Sequence, residues 1–173
     1  MKRGQETMCE VNTMTTMEER ASAMPLNLDS PMSGELVSLD QVPDPLFSSG
    51  TMGGGIAILP KTGMVVAPCD GIVLFNRSFS HMIGLIAAGG VEILIHIGLD
   101  RRRMAKNPFH FLVKENQRVK KGDPLLTADL KALQEAGNEL YTPVIITNLA
   151  RYVSVAFPRR RTVRAGDRLM TLS

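Results

Sequence analysis

Tryptophan is absent from these 173 residues, and only two tyrosines and six phenylalanines are present. Any core must therefore be aliphatic and rich in methionine, of which there are eleven. A strong excess of either charge is missing too: 20 Lys and Arg stand against 17 Asp and Glu, and a formal net charge of +3 is too small to imply a nucleic-acid partner. The basic runs at 101–103 and 159–161 have no interleaved rings on which bases could stack, and read as solvated turns. Long apolar runs are missing. The longest, Met82 to Val91, holds three glycines and stops at Glu92, well short of the ~20 residues of a spanning helix. No apolar secretory segment opens the chain, so no direct membrane insertion is expected. Cysteine is limited to Cys9, in polar surroundings, and Cys69, beside a turn. Such different contexts argue against a disulfide and for a reducing cytoplasm.

What is present suits one domain. The hydrophobic fraction is 44%, ordinary for a globular chain of this length. Residues 1–24 lack periodicity and read as a flexible tail. Residues 25–173 alternate short β-type segments with Gly, Pro, Asp and Asn. Strands are expected at 35–39, 55–60, 64–68, 71–76, 81–87, 91–97, 110–114, 124–128, 143–147, 152–156 and 168–172. This pattern predicts an all-β flattened barrel or β-sandwich with one or two short helices. One helix follows Asp129, which can cap it; Leu130 and Leu133 share a face and Gly137 can end it. Two segment pairs look alike: "SPMSGELV" (30–37) with "APCDGIVL" (67–74), and "VKKGDPLL" (119–126) with "VRAGDRLM" (163–170). They suggest a fold built from two related halves.

Histidine is rare as well, and two of the three fall on one predicted hairpin. His81 opens "HMIGLIAA", His96 lies in "VEILIHI", and Gly89-Gly90 between them suits a two-residue turn. That turn would set Ala88 opposite Val91, His81 opposite Gly98 and His96 opposite Ile83. The two rings would then be diagonal neighbours on one face, roughly 7–8 Å apart at the backbone. A three-residue loop would shift the register by one and separate them. Partial burial disfavours the charged imidazolium, leaving a lone pair able to act as base, ligand or nucleophile. The pair supports a structural contact, a metal site or a phosphoryl or acid-base site; no third ligand stands at metal-site spacing. His110, in "PFHFLV", reads as an ordinary strand residue.

Six segments occur in order: "SPMSGELVSLDQVPDPLFSSG", "GGGIAILP", "GMVVAPCDGIV", "GGVEILIHIGLD", "VKKGDPLLTADL" and "TPVIITN". Together they closely resemble the glucose-type IIA domain of the bacterial phosphoenolpyruvate-dependent sugar phosphotransferase system, over residues 28–173. The resemblance implies a duplicated β-sandwich or flattened barrel. It also implies that His96 accepts a phosphoryl group from the phosphocarrier HPr and passes it to a cysteine on a IIB domain of a sugar permease. His81 would stabilise the phosphorylated ring, Asp100 would lie at the site rim, and Asp44 and Phe47 in the docking region. Leu46, Met52 and Phe79 are further candidates for an apolar rim. No metal or other cofactor is implied for this step. The family commonly carries threonine where Phe79 stands, between Ser78 and Ser80, and another after the aspartate, where the arginines at 101–103 follow Asp100. A second reading is a regulatory module whose binding to metabolic enzymes or transporters depends on phosphorylation. A zinc hydrolase of related architecture would need ligands that the sequence lacks.

Overall fold

Short aliphatic segments broken by turn residues fold here into paired strands. The computed structural model describes residues 25–75, 81–99, 106–149 and 154–173. The expected tail at 1–24 and the expected strand residues 76 and 152–153 lie outside the described residues. One eight-stranded sheet runs in the order β13 (Thr162–Val163), β2 (Gly34–Val37), β3 (Gly54–Pro60), β11 (Thr142–Ile146), β7 (Glu92–His96), β6 (Met82–Ala87), β5 (Gly71–Phe75), β9 (Arg118–Val119). Two three-stranded sheets accompany it. One orders β1 (Leu26–Asp29), β14 (Arg168–Leu172) and β12 (Val155–Ala156); the other β4 (Met64–Val66), β10 (Pro124–Ala128) and β8 (Phe109–Phe111). Among the described residues the ends of the large sheet do not pair with each other, so the sheets are not closed into a barrel and the architecture is sandwich-like.

The duplication suggested by the repeats is visible in the pairing. The large sheet reads the same from either end when β13, β2, β3 and β11 are exchanged for β9, β5, β6 and β7. Gly34 pairs with Pro60 as Gly71 pairs with Ala87. Ile56 pairs with Val144 as Ile83 pairs with Ile95. Val144 and Ile95 then pair with each other across the centre of the sheet, on the pseudo-two-fold axis. Turn bonds obey the same symmetry. Ser30 N–H donates to Asp167 O and Gly166 N–H to Ser30 O, while Ala67 N–H donates to Asp123 O and Gly122 N–H to Ala67 O. The halves also clasp reciprocally: Asp29 N–H donates to Pro68 O and Val66 N–H to Pro31 O, each at 2.9 Å.

The main core lies between the sheets, where Ile83, Leu85, Ile93, Ile95, Val144, Ile146, Leu125, Leu126, Leu169 and Met170 are buried. Each such side chain contributes roughly 1.5–3 kcal/mol by leaving water. The central strands are covered on both faces, so β11 is buried at every position and reads as an unbroken apolar run. A second, smaller cluster covers the outer face with Val42, Phe47, Ala57, Leu94 and Ile145. Its roof is the short helix α1 (Pro45–Ser48), which the sequence reading missed; Asp44 caps it, Oδ1 accepting from Leu46 N–H at 2.9 Å, and proline takes the first turn. The helix expected after Asp129 forms as α2 (Leu130–Glu135), with Asp129 Oδ1 accepting from Ala132 N–H. Strands β1, β9 and β13 were also missed. The last two are only two residues long, too short to carry a period.

Candidate functional site

The two-residue turn expected at Gly89-Gly90 is not what forms. Ala88–Gly90 make a three-residue 3-10 connection, with φ of 72° at Gly89 and 75° at Gly90. The register shifts by one: Met82 faces His96 and Ile83 faces Ile95. Yet the imidazoles meet, His81 Nε2 lying 2.7 Å from His96 Nε2 with ring centroids 4.1 Å apart at 84°. His81 precedes β6 and sits in a bend, so the alternation that governs the strand does not dictate where its side chain goes. Its carbonyl still accepts from Ile97 N–H at 2.7 Å, which ties the bend to the strand carrying His96.

His96 ends β7 and faces the smaller cluster, edge-on to Phe47 at a centroid distance of 5.0 Å. Gly98, expected opposite His81, instead serves His96. Gly98 adopts φ 75°, and its carbonyl oxygen lies 2.7 Å from His96 Nδ1. A carbonyl only accepts, so Nδ1 carries the proton and donates. A neutral ring then has its lone pair on Nε2. Across the 2.7 Å contact, His81 Nε2–H is the donor to that lone pair. Burial of both side chains, 7% and 8% exposed, favours this neutral arrangement because desolvation penalises charge. The pair thus offers one shielded nucleophilic nitrogen with a hydrogen-bond donor already aimed at it.

The other expected site residues separate into three groups. Phe47 is buried at 3% exposure, whereas Leu46 at 56% and Met52 at 36% are exposed apolar side chains. Asp44 contributes through the cap of α1. Asp100 and Phe79, with the arginines at 101–103, lie outside the described residues. His110 lies exposed in β8, opposite Thr127, in a different sheet. Among the described residues no group of three or more His, Cys, Asp or Glu converges as a metal ligand set. Sequence reading missed the Gly98 carbonyl and the cluster-forming Val42, Ala57, Leu94 and Ile145. The first is a backbone group, for which only the glycine two residues beyond His96 gave a signal; the others look like ordinary strand or loop apolars. Cys69 is buried, and its thiol is pushed up to about 12 by burial, then by Asp70 and Asp29, which makes it inert at neutral pH.

Comparison with known proteins points the same way. A family profile described as phosphoenolpyruvate-dependent sugar phosphotransferase system, EIIA 1, matches residues 26–152. The glucose-specific EIICBA component of Staphylococcus carnosus (strain TM300) is 41% identical over 142 residues, covering 82% of this chain and 21% of that protein. The glucoside-specific EIICBA component of the same organism is 41% identical over 144 residues, covering 83% of this chain and 21% of that protein. The chain therefore spans about a fifth of the length of these relatives. The solved structure of glucose permease IIA from Mycoplasma capricolum superposes with a TM-score of 0.77 at 31% identity, covering 86% of this chain and 96% of that one. The chain accordingly belongs to the EIIA 1 family of the phosphoenolpyruvate-dependent sugar phosphotransferase system, whose domains are phosphotransferase components of sugar transport.

Proposed function

We propose that His96 accepts a phosphoryl group from phospho-HPr at Nε2 and passes it to the cysteine of a IIB domain of a sugar permease, in the cytoplasm. The observation that carries this reading is the chain of contacts from the Gly98 carbonyl through His96 to His81. Gly98 fixes the tautomer, so the attacking lone pair is on the nitrogen that faces His81. As the N–P bond forms, the bond from phosphorus to its donor breaks. In the second transfer the IIB thiolate attacks phosphorus and the electron pair returns to Nε2. The transition state is loose, so catalysis consists mainly of positioning and charge stabilisation. The His81 N–H donates to a phosphoryl oxygen once Nε2 is occupied. Phe47 walls the site, and the exposed Leu46 and Met52 give a docked partner an apolar surface that excludes water. Phosphotransferase relatives specific for glucose and for glucoside are equally similar to this chain, which supports a permease that chooses the sugar outside this domain.

Incubation with phosphoenolpyruvate, enzyme I and HPr tests the proposal. One acid-labile phosphate is expected, absent in His96→Ala; equal labelling of that variant would overturn the assignment. The same exposed apolar residues favour a second, compatible role in regulation. A phosphate dianion beside Leu46 and Met52 would disfavour an apolar partner by charge and desolvation. Binding of candidate metabolic enzymes or transporters to the two phosphorylation states should then differ, and identical pull-downs would exclude the switch.

A further inference from the structure

The pseudo-two-fold relates two surface clefts as well as the strands. One is lined by Ser33, Gly34, Lys61, Arg160, Thr162 and Arg164, with Asp167 at its side. Its twin is lined by Asp70, Gly71, Ala88, Arg118, Lys120 and Asp123. Their volumes are ≈ 570 and ≈ 580 Å³, so the scaffold builds the same space twice. The chemistry has diverged. Three cations and one carboxylate line the first; two cations and two carboxylates line the second.

The divergence is sharpest at Ser33. Its Oγ accepts from Ala165 N–H at 3.0 Å, while the symmetry-related Asp70 Oδ1 accepts from Lys121 N–H at 2.8 Å. The two oxygens hold equivalent turns, but serine does so without the negative charge, and its O–H remains able to donate. Lys61 stands where the twin has Ala88, one residue beyond the matched pairs Gly34–Pro60 and Gly71–Ala87. Arg160 stands where the twin has Asn116, as the bonds from Leu36 N–H to Arg161 O and from Val73 N–H to Gln117 O show. The one remaining carboxylate is engaged: Asp167 Oδ2 accepts from Arg164 N–H at 2.9 Å and from Arg160 Nη1 at 3.1 Å. Lys61 meets Glu35 at 3.6 Å between well-exposed side chains, a weak pair.

We infer that the cleft of Ser33, Lys61, Arg160 and Arg164 is a second binding site, for a phosphate-bearing anion. Guanidinium forks match phosphate oxygens and lysine adds a compact charge. The surplus of two cationic groups suits a phosphate monoester, which carries about −1.5 to −2 at neutral pH. The cleft flanks β13, which is separated from β7 by three strands, or about 19 Å at ordinary strand spacing. It is therefore a site apart from the histidines.

Amide NMR on the full chain provides the test, with inorganic phosphate as probe against sodium chloride at matched ionic strength. Saturable shifts are expected at Ser33, Gly34, Lys61 and Thr162, with the twin cleft silent. Arg160→Gln with Arg164→Gln should weaken binding at least tenfold, and Asp70→Ser with Ala88→Lys should make the twin cleft respond. A parallel arm uses vesicles of phosphatidylcholine with and without phosphatidylglycerol. Binding of inorganic phosphate alone assigns a soluble phosphate ester. Binding to the anionic vesicles that is lost in the arginine double variant assigns a lipid headgroup. Absence of both, equal shifts in the two clefts, or shifts reproduced by chloride would overturn the proposal.

Discussion

Strands β7 and β11 occupy equivalent places in the two halves, yet one carries a buried histidine where the other carries an isoleucine. The register that sets Met82 opposite His96 sets Gly55 opposite Ile145. Ile145 is thus the twin of His96, and Gly54 of His81. Ile145 is fully buried in the cluster with Phe47 and Leu94. At Gly54 a Cβ would run into the end of the Leu149 side chain, so the space of a second imidazole is taken by Leu149. The scaffold does not require histidine at this position; it requires a side chain of moderate size. His96 is the residue at which one half gives up an apolar contact for a polar one satisfied by Gly98 and His81. His96→Ile makes the two halves alike. It should abolish acid-labile phosphate incorporation while changing stability by less than about 2 kcal/mol, since a hydrogen bond is exchanged for apolar burial. Phosphate assay and urea denaturation on the same sample check both parts.

The second histidine can be separated from the first. His81→Gln keeps an N–H that can donate to the phosphoryl group but removes the ring that could take up or release a proton. Phosphate should still be accepted from HPr, while transfer to a IIB domain slows by about 10²–10⁴-fold, as for the loss of a group that takes up or releases a proton. Single-turnover chase of the phosphorylated protein measures this. Equal chase rates in both proteins would reduce His81 to a packing residue.

Two residues of the small cluster sharpen the contrast between structure and site. Phe47→Ala should cost about 3–5 kcal/mol and Ile145→Ala about 2–5 kcal/mol through the cavities they leave. Phe47 sets its ring edge-on to the His96 ring, whereas Ile145 is an aliphatic member of the same cluster. Removal of Phe47 should therefore also shorten the lifetime of the phosphohistidine, as water enters, whereas Ile145→Ala should leave that lifetime unchanged. Denaturant midpoints and the decay of labelled protein at neutral pH distinguish the two effects.

Much of this comparison was legible in the chain. The repeated "SPMSG" and "APCDG" segments and the two Gly-Asp turns predicted two halves, and their bonds are symmetric. The helix after Asp129 was legible because a cap, an apolar pair and a terminal glycine coincide. Helix α1 was hidden because four residues with only Phe47 buried show no period. The histidine contact was expected for a register that does not form. Two adjacent glycines fit a two-residue turn, and nothing local signals that Ala88 joins them. The rings meet because His81 lies beyond the regular ladder, a property of its bend rather than of the strand pattern.

The smallest effect compares the buried pair Cys69 and Met32, which occupy equivalent places after Pro68 and Pro31. Only the cysteine can titrate. Its thiol is raised from 9.0 to about 12, first by burial and then by Asp70 and Asp29. Below about pH 9 both folded and unfolded chains hold the proton, and the stability contribution is fully present. Between 9 and 12 the unfolded chain releases it while the fold retains it, so stability falls by about 1.4 kcal/mol per pH unit from this group. Other groups titrate in the same window, which makes the difference between wild type and Cys69→Ala the informative quantity. The substitution should lower stability at neutral pH by removing a buried side chain, and the gap between the two proteins should narrow as pH rises past 9. A constant gap would mean that the thiol stays solvated enough to ionise in the folded state. The Cys69 half would then be as insensitive to alkali as the half that carries Met32.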